Sequence, residues 1–377
     1  MRFLVSIKKN NMKKLLYITP RIDGSGGLQH VFSIKTNYLQ KQYGYDVTIV
    51  TTNAKSEQNF FDFSKIKQIN KKLKGWGPFY LANYIRVVKT EINKLKPDVL
   101  IIVDNGLKGF LLPYFLRNSN VKMVFEQHGF RFYEDVEQKL HLFQRLKNAI
   151  LNRIINYSIS FVDEMIVLTE ASKKEWKTKN SQTIPNPLWI ENPNASALES
   201  KAVLTVGRQE FVKGYDLLLP IWKKVIQKHP DWKLHIYSDY NPELKLKELA
   251  QKLNLEKEIV FHEPTLAIDE AYSKASIYLM TSRHEGFGMV LLEAMACGLP
   301  CVAFDCPTGP AELITNDFNG YLIKPFDLDS YAEKVITLIE NHELRLKLGS
   351  NAQKSTEKYQ LSKVMDQWHQ LFSKLHK

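Results

Sequence analysis

Long apolar runs are missing from this sequence of 377 residues. No stretch approaches the length of about eighteen apolar residues that a membrane-spanning helix needs. Residues 1–20 hold a short apolar stretch between charges, without a secretory core and a small-residue cleavage site. We therefore expect a protein that crosses no bilayer and works in the cytoplasm.

Cysteine is scarce, with only Cys297, Cys301 and Cys306 in the whole chain. So low a count in so long a chain excludes a disulfide-stapled scaffold. Thiolates at short spacing can bind zinc, but no histidine or fourth cysteine lies beside these three. Cys297 falls in an apolar helical pattern and Cys301 in an apolar strand pattern, which predicts buried reduced thiols rather than metal ligands.

Internal repeats and low-complexity tracts are also absent. The chain instead alternates short apolar, β-branched runs with helix-length segments, which is typical of parallel sheets with helices on both faces. The predicted strands are 15–19, 47–51, 99–103, 121–126, 165–168, 203–206, 234–237, 259–262, 277–280 and 300–304. The length suits two cores rather than one, so we predict an α/β fold of two Rossmann-like, doubly wound domains.

A proline-rich segment separates the two groups of strands. Residues 183–193, TIPNPLWIENP, carry three prolines, which neither a helix nor a central strand accommodates. We place the boundary there, with a first domain at 1–185 and a second at 186–355. Residues 356–377 form an amphipathic helical pattern that could pack back on the first domain. Ligands of open α/β sheets bind beyond the carboxyl ends of the strands, so we expect the domains to face one another across a cleft.

The charge is distributed asymmetrically along the chain. Residues 1–185 hold 30 Lys and Arg against 15 Asp and Glu, whereas residues 186–377 hold 22 against 25. Such a surplus suggests that the first half faces a polyanion, either nucleic acid or an anionic membrane surface. A basic surface kept for solubility is the alternative. Residues 139–161 mix basic and apolar residues at near-helical spacing, and such a helix could lie on anionic lipid or pack on its own sheet.

Two cationic side chains stand in a loop bounded by glycines, Gly207 to Gly214, which follows a predicted strand and precedes a helical pattern. At the carboxyl end of a strand, Arg208 offers a planar fork and Lys213 a point charge, and the two can converge on a diphosphate. Taken alone, this segment could equally be a surface loop with incidental cations.

Two carboxylates, Glu285 and Glu293, stand eight residues apart in the run SRHEGFGMVLLEAMACG. Gly286, Phe287 and Gly288 permit a tight turn into a helix, whose amide end is a natural seat for phosphate. With a rise of ~1.5 Å per residue the carboxylates are roughly 12 Å apart at most, comparable to the distance from a donor sugar to the ribose. Burying an ionised carboxylate without a partner is costly, so the pattern favours a binding role for Glu293 over a tolerated core residue.

These motifs together resemble a known family. EGFGMVLLEAMACGLPCVAFD is similar to the E-x7-E signature of glycosyltransferase family 4, and GRQEFVKG is similar to that family's G-R-x4-K-G phosphate loop. SGGLQHV, EQHG, GPAELI and NDFNGYLI resemble further blocks of the family in the same order. The similarity covers nearly the whole chain, and it implies the GT-B fold, transfer with retention of anomeric configuration, and no bound metal or other cofactor.

The resemblance also implies roles for individual residues. Arg208 and Lys213 would hold the diphosphate, Glu285 the donor sugar hydroxyls and Glu293 the ribose, while His128 would contact the sugar, to position it rather than to act as a base. These four, His128, Arg208, Lys213 and Glu285, are the implied catalytic residues. The implied donor-binding residues are Gly26, Gly27, Gly207, Arg208, Lys213, Glu285, Gly286, Phe287, Gly288 and Glu293.

The substrate class also rests on resemblance. FDCPTGPAELI is similar to segments of family members that act on UDP-linked galactose, glucose or their N-acetylated forms. We therefore expect a UDP-sugar donor and transfer of a hexose or N-acetylhexosamine to a glycan or lipid-linked glycan in surface polysaccharide synthesis. A metal-dependent transferase would need an Asp-x-Asp pair; one occurs at Asp327 and Asp329, but it directly precedes a helical pattern, which predicts helix capping instead.

Three other classes fit parts of the sequence. A sugar-nucleotide epimerase of similar fold would also grip a diphosphate, without needing an acceptor. A dinucleotide oxidoreductase fits less well, because residues 24–27 lack the G-x-G-x-x-G spacing. A nucleic-acid-binding protein would account for the basic half alone, and no recognisable module supports it, so we expect no nucleic-acid partner.

Overall fold

The computed structural model describes residues 13–56, 58–129, 142–176, 178 and 180–375. Two compact units make up this part of the chain. The first contains the described residues up to Leu168, Ser172–Ile184 and those from Val364 onward, and the second contains Thr169–Ala171 and Pro185–Lys363. Each unit has its own sheet.

The first unit is built on a seven-stranded sheet. Its strands are β1 Lys14–Thr19, β2 Asp46–Thr51, β3 Lys67–Asn70, β4 Val99–Ile102, β5 Lys122–Glu126, β6 Glu164–Val167 and β7 Ser181–Thr183. Every pair is parallel, and the spatial order is β3-β2-β1-β4-β5-β6-β7. The helices between them are α1 Gly27–Tyr43, α2 Gly77–Leu95, α3 Leu107–Leu116, α4 Leu142–Ile159 and α5 Glu170–Lys174. Residues 139–141 of the predicted basic helix, like residues 1–12, lie outside the described residues.

The second unit is built on a six-stranded parallel sheet. Its strands are β8 Ala202–Val206, β9 Lys233–Tyr237, β10 Ile259–His262, β11 Ile277–Met280, β12 Cys301–Phe304 and β13 Gly320–Ile323. Their order is β10-β9-β8-β11-β12-β13. The helices are α6 Tyr215–Lys228, α7 Leu246–Lys252, α8 Ile268–Lys274, α9 Met289–Ala296, α10 Pro310–Leu313, α11 Leu328–Glu340 and α12 His342–Ser355.

Burial on both faces explains why the central strands could be recognised. All four residues of β4, β6, β11 and β12 are buried, because helices cover both faces of a parallel sheet and demand continuous apolar runs. Each of the ten predicted strands is present, with ends that differ by at most one residue. The prediction of two doubly wound α/β units is therefore confirmed.

Three strands escaped prediction, and all three lie at sheet edges. They are β3, β7 and β13. The first two read KQIN and SQT and are mostly half-buried or exposed, so they lack the apolar pattern by which strands are recognised.

The last helix, α13 Leu361–Leu375, belongs almost entirely to the first unit. Its buried face consists of Val364, Met365, Trp368, Leu371 and Phe372, spaced as one stripe of a helix. The Phe372 ring packs edge-on against Tyr45, with ring centroids 5.7 Å apart.

The strand orders place a topological switch point in each sheet. In the first sheet β1 lies between β2 and β4, and in the second β8 lies between β9 and β11. The chain leaves such neighbouring strands in opposite directions, which opens a crevice beyond their carboxyl ends where ligands of α/β proteins bind. The loops after β1 and β4, and those after β8 and β11, are therefore the places to look for sites.

Candidate functional site

In the second unit, both motifs singled out from the sequence flank the switch point. The loop Gly207 to Gly214 follows β8, and the loop Ser282 to Gly288 follows β11. The two loops touch directly, because the Arg283 N–H donates to the Val212 carbonyl at 2.8 Å. The sequence motifs thus belong to one site.

Gly214 allows this close contact. Its φ is +67°, a left-handed conformation that favours glycine, and a Cβ at this position would lie 2.0 Å from the Thr281 carbonyl oxygen. The Thr281 hydroxyl in turn donates to the Gly214 carbonyl at 3.0 Å. A side chain at position 214 would push the two loops apart.

Arg283, in the second loop, fixes the first loop, a role that the sequence motifs do not predict. Its guanidinium bonds Asp216 in a bidentate manner, with both distances 2.8 Å, and donates to the Phe211 carbonyl at 2.9 Å. It also lies 3.8 Å from the centroid of the Phe211 ring. Such a planar, multiply bonded arginine holds both partners in one geometry.

The structure brings Lys213 and Glu285 together. Lys213 Nζ and Glu285 Oε1 are 2.7 Å apart, and the Ser282 hydroxyl donates to the same oxygen at 2.7 Å. The Glu285 carbonyl accepts from the Thr308 hydroxyl at 2.6 Å. A carboxylate and an ammonium are thus held side by side, each partly accessible, with 10% and 21% of their side chains exposed.

The Arg208 side chain is more exposed than that of Lys213. More than half of its side chain is exposed, and it pairs with Glu210 at 2.8 Å rather than with Glu285. Gly207, before it, donates its N–H to the Tyr237 carbonyl at 3.0 Å and accepts from the Tyr215 hydroxyl at 2.7 Å. The backbone of this loop is therefore fixed while the arginine side chain reaches into solvent.

The turn after Glu285 leads directly into α9. Gly288 has a φ of +93° and stands at the N-cap of the helix, as the predicted turn requires. Phe287 is buried and packs edge-on against Tyr359, so Gly286 to Gly288 form an anchored turn. The amide end of α9 thus begins at Met289, four residues beyond Glu285.

Glu293 is buried within α9 and both its oxygens have protein donors. The Trp189 indole N–H donates to Oε1 at 2.8 Å and the Tyr272 hydroxyl to Oε2 at 3.0 Å. Burial raises the pKa of Glu293 to about 7, although both hydrogen bonds act in the opposite direction. Each carboxylate oxygen has two lone pairs, so one further hydrogen bond to each is possible.

In the first unit, Gly26 and Gly27 follow β1 at its switch point. Gly26 is the N-cap of α1, and its carbonyl accepts from the His30 N–H at 3.1 Å. Gly27 is the first residue of the helix. The two glycines lie at the end of β1, where the strand order opens the crevice of this sheet.

His128 follows β5 and contacts a buried ion pair that the sequence motifs do not predict. Its Nε2 lies 2.7 Å from Glu126 Oε1, and Lys35 of α1 contacts both oxygens of the same carboxylate. Burial alone would raise the pKa of Glu126, but the Lys35 charge and the hydrogen bonds from His128 and Lys35 lower it to about 2. Lys35 could have been noticed, because it falls on the buried stripe of α1 with Val31 and Leu39, where a lysine needs a partner.

The cysteines and the Asp-x-Asp pair have structural roles. The three cysteines are free and buried, as predicted. The carboxylate of Asp327 accepts from the Ser330 N–H at 3.0 Å and caps α11, while Asp329 pairs with Lys224, which confirms the capping prediction. In the part of the chain that the structure describes, no group of three or more His, Cys, Asp or Glu side chains is placed to hold a metal ion. Within the same ranges, no helix combines the length and apolarity needed to cross a bilayer.

Comparisons with known proteins agree with this fold. The family model for glycosyl transferases group 1 matches residues 190–355. An uncharacterized glycosyltransferase of Haemophilus influenzae is 31% identical over 367 residues, covering 95% of this chain and 99% of the relative. The amylovoran biosynthesis glycosyltransferase AmsD of Erwinia amylovora is 27% identical over 376 residues, covering 96% and 100%. The crystal structure of Anabaena HepE in complex with UDP has a TM-score of 0.76 at 19% identity, covering 96% and 100%. The chain therefore belongs to the glycosyl transferases group 1 family and is a glycosyltransferase with the GT-B fold.

Proposed function

We propose that this enzyme is a retaining family 4 glycosyltransferase, which moves a hexose or N-acetylhexosamine from a UDP-sugar to a glycan or lipid-linked glycan in surface polysaccharide synthesis. The observation that carries the proposal is the Lys213–Glu285 pair at the switch point of the second sheet, beside the amide end of α9. The AmsD relative, named for amylovoran biosynthesis, supports the polysaccharide context, and the UDP held by HepE supports the nucleotide.

The pair suggests how the donor is held. The Lys213 ammonium and the Glu285 carboxylate neutralise one another at 2.7 Å. A diphosphate carries more negative charge than one carboxylate, so it competes for Lys213 and leaves Glu285 free to accept hydrogen bonds from sugar hydroxyls. Arg208, exposed and paired only with Glu210 among the described residues, turns toward the diphosphate from the same loop. Glu293 accepts hydrogen bonds from the ribose hydroxyls, Gly26 and Gly27 contact the phosphates or the acceptor, and His128 contacts the sugar.

In the proposed reaction, the main catalytic effect is stabilisation of the negative charge on the departing diphosphate. The bond from the anomeric carbon to the diphosphate breaks, the acceptor oxygen forms a new bond on the same face of the sugar, and the proton of the acceptor hydroxyl passes to the departing diphosphate. Lys213, Arg208 and the α9 amide end lie where negative charge develops, and they need no metal to stabilise it. Removal of one such donor costs about 10²- to 10³-fold in turnover in other enzymes.

The double variant Arg208→Ala/Lys213→Ala tests this proposal. We expect turnover to fall at least about a thousandfold with an unchanged unfolding midpoint, because the stabilisation lost acts mainly in the transition state. A separate measurement on the wild type identifies the donor. Among a panel of nucleotide sugars, the donor should raise the midpoint of thermal unfolding, because it binds the folded state. Lys224→Ala, in α6 of the same unit, is the matched control and should keep full turnover. Near-normal transfer by the double variant would contradict the proposal.

A peripheral position on an anionic membrane is the second part of the proposal. On α4, Leu146, Ile150, Ile154 and Tyr157 are exposed at 48% to 60%, and their spacing puts them on one helix face. Arg145, Lys147 and Arg153 are exposed on the same helix, and residues 142–161 contain no Asp or Glu. An apolar stripe flanked by basic residues suits the interface of an anionic bilayer.

A further inference from the structure

The ion pair under His128 is an unusual feature of the first unit. The Lys35 and Glu126 side chains are 1% and 2% exposed, and desolvating two charges in this way often costs as much as their attraction returns. Apolar residues of similar size would serve the core as well. A role beyond stability is therefore expected, and the contact with His128 indicates which one.

The pair determines which ring nitrogen carries a proton. Because Glu126 is ionised, its oxygens can only accept hydrogen bonds. The 2.7 Å contact with His128 Nε2 is therefore an N–H donated by the ring. In the neutral imidazole the other nitrogen, Nδ1, then has no proton and acts as an acceptor.

Lys35 keeps that imidazole neutral. Its ammonium already balances the Glu126 carboxylate, so a second cation on His128 would leave a net positive charge in a buried place. Without Lys35, the carboxylate would draw a proton onto the ring, and Nδ1 would change from an acceptor to a donor.

The surroundings hold this arrangement. With its amide oxygen toward the backbone, Asn105 accepts from the N–H groups of His128 and Gly129 at 3.2 and 3.3 Å. The Lys35 ammonium lies 4.1 Å from the centroid of the Trp368 ring on α13 and 5.5 Å from that of Tyr17. Among the described residues, Tyr17 on β1 is a titratable neighbour of Glu126, and its pKa is raised by burial and by the Glu126 charge.

We propose that Lys35 and Glu126 are positioning residues for the transfer reaction: they hold His128 as the neutral Nε2–H form, so that Nδ1 accepts a hydrogen bond from a substrate hydroxyl. The proposal rests on the proposed contact between His128 and the sugar. It adds two residues that touch no substrate and act only through the ring.

Ring-nitrogen NMR on protein labelled with ¹⁵N-histidine tests the proposal without substrate. In the wild type we expect His128 to be neutral and protonated on Nε2 at pH 7.5. In Lys35→Met the ring should stay protonated to a pH about one unit higher or more, and the acid limb of the kcat/KM profile should move with it. Lys35→Met/Glu126→Gln buries no charge and keeps an acceptor for Nε2–H, so it should restore both the spectrum and the profile.

The outcomes separate the two proposals. An unchanged ring spectrum and pH profile in Lys35→Met would overturn the positioning role. If Lys35→Met does not fold, the double variant alone tests the positioning role. A proton on Nδ1 of His128 in the double variant, together with the kcat/KM of the wild type, would then overturn that role. Lys71→Met is the control, because Lys71 pairs with the buried Glu91 in the same unit at 3.0 Å and should change neither readout. Full transfer by His128→Ala would instead refute the sugar contact, while the ring spectra still report on the pair.

Discussion

At the scale of single residues, two buried glutamates show how neighbours decide the charge of a carboxyl group. Glu126 faces an ammonium and a ring N–H, and its pKa lies at about 2. Among the described residues, Glu293 accepts hydrogen bonds from the neutral donors Trp189 and Tyr272, and burial raises its pKa to about 7. Desolvation acts on both, but only the first has a nearby cation to offset it.

Replacement of Glu293 by Gln should therefore stabilise the protein at alkaline pH. The raised pKa means that Glu293 costs nothing below pH 4.5, its ordinary value, and costs most above about pH 7. At about 1.4 kcal/mol per pKa unit, the gain for Glu293→Gln approaches roughly 3 kcal/mol at pH 8 and vanishes near pH 4.5. Urea unfolding of both proteins at pH 4.5 and pH 8 measures this difference.

The same substitution should weaken nucleotide binding, because an amide is a poorer acceptor for ribose hydroxyls than a carboxylate. Titration calorimetry with UDP gives this second readout. Equal loss of stability at both pH values would show that the carboxylate is not strained by burial, and unchanged UDP affinity would remove Glu293 from the donor site.

At the scale of elements, the site depends on two loops held against each other. Gly214 provides the close approach to Thr281, and Arg283 binds Phe211 and Asp216 from the opposite loop. The cation of one loop can meet the carboxylate of the other only because their backbones are fixed in this way.

Gly214→Ala should disrupt that contact. The added Cβ meets the Thr281 oxygen at 2.0 Å and the φ of +67° disfavours alanine, so we expect a loss of more than about 3 kcal/mol in unfolding free energy. Gly77→Ala is the control, because Gly77 also has a positive φ, +52°, but a Cβ there meets nothing within 4 Å. It should cost only about 1 to 2 kcal/mol. Equal losses in the two variants, measured by denaturant unfolding, would show that the loop contact is unimportant.

Central strands that are buried on both faces were predictable from the sequence, whereas of the four edge strands only β10 was predicted. The central strands are apolar because both faces are covered, so their pattern identified them to within a residue. The edge strands β3 and β7 are held by backbone hydrogen bonds to a neighbour, which leave no trace in the side chains.

The site was predictable to a similar extent. The glycine-bounded loop and the paired carboxylates identified Lys213 and Glu285, which the structure places in contact. Arg283 and Lys35 were missed because their roles depend on partners 67 and 91 positions away. No motif links these partners, although the place of Lys35 on the buried stripe of α1 does signal that this lysine needs one.

At the scale of the whole molecule, the positive charge is concentrated in residues 1–185, and the exposed apolar stripe of α4 lies in the same half. If this half meets an anionic bilayer, Ile150→Glu/Ile154→Glu should weaken binding to phosphatidylglycerol vesicles. Each buried isoleucine contributes about 2 kcal/mol, so we expect a loss of about a hundredfold or more. Vesicle sedimentation at several salt concentrations measures the effect.

Leu266→Glu is the control for this experiment. Leu266 is 68% exposed but belongs to the second unit and not to the basic half of the sequence, so binding should persist. Equal binding by the wild type and the α4 variant, or equal binding to neutral phosphatidylcholine, would show that α4 does not serve as a membrane surface.

The helix α13 also has a consequence for biosynthesis. Most of the first unit is translated early, but Trp368, which covers the Lys35 ammonium, comes about 180 residues after Ile184. Domains usually fold as they emerge from the ribosome, at about 5 to 20 residues per second. This unit must instead wait roughly ten seconds or more for α13, with Lys35 and the apolar surface under α13 uncovered. The second unit is therefore fully synthesised before the first.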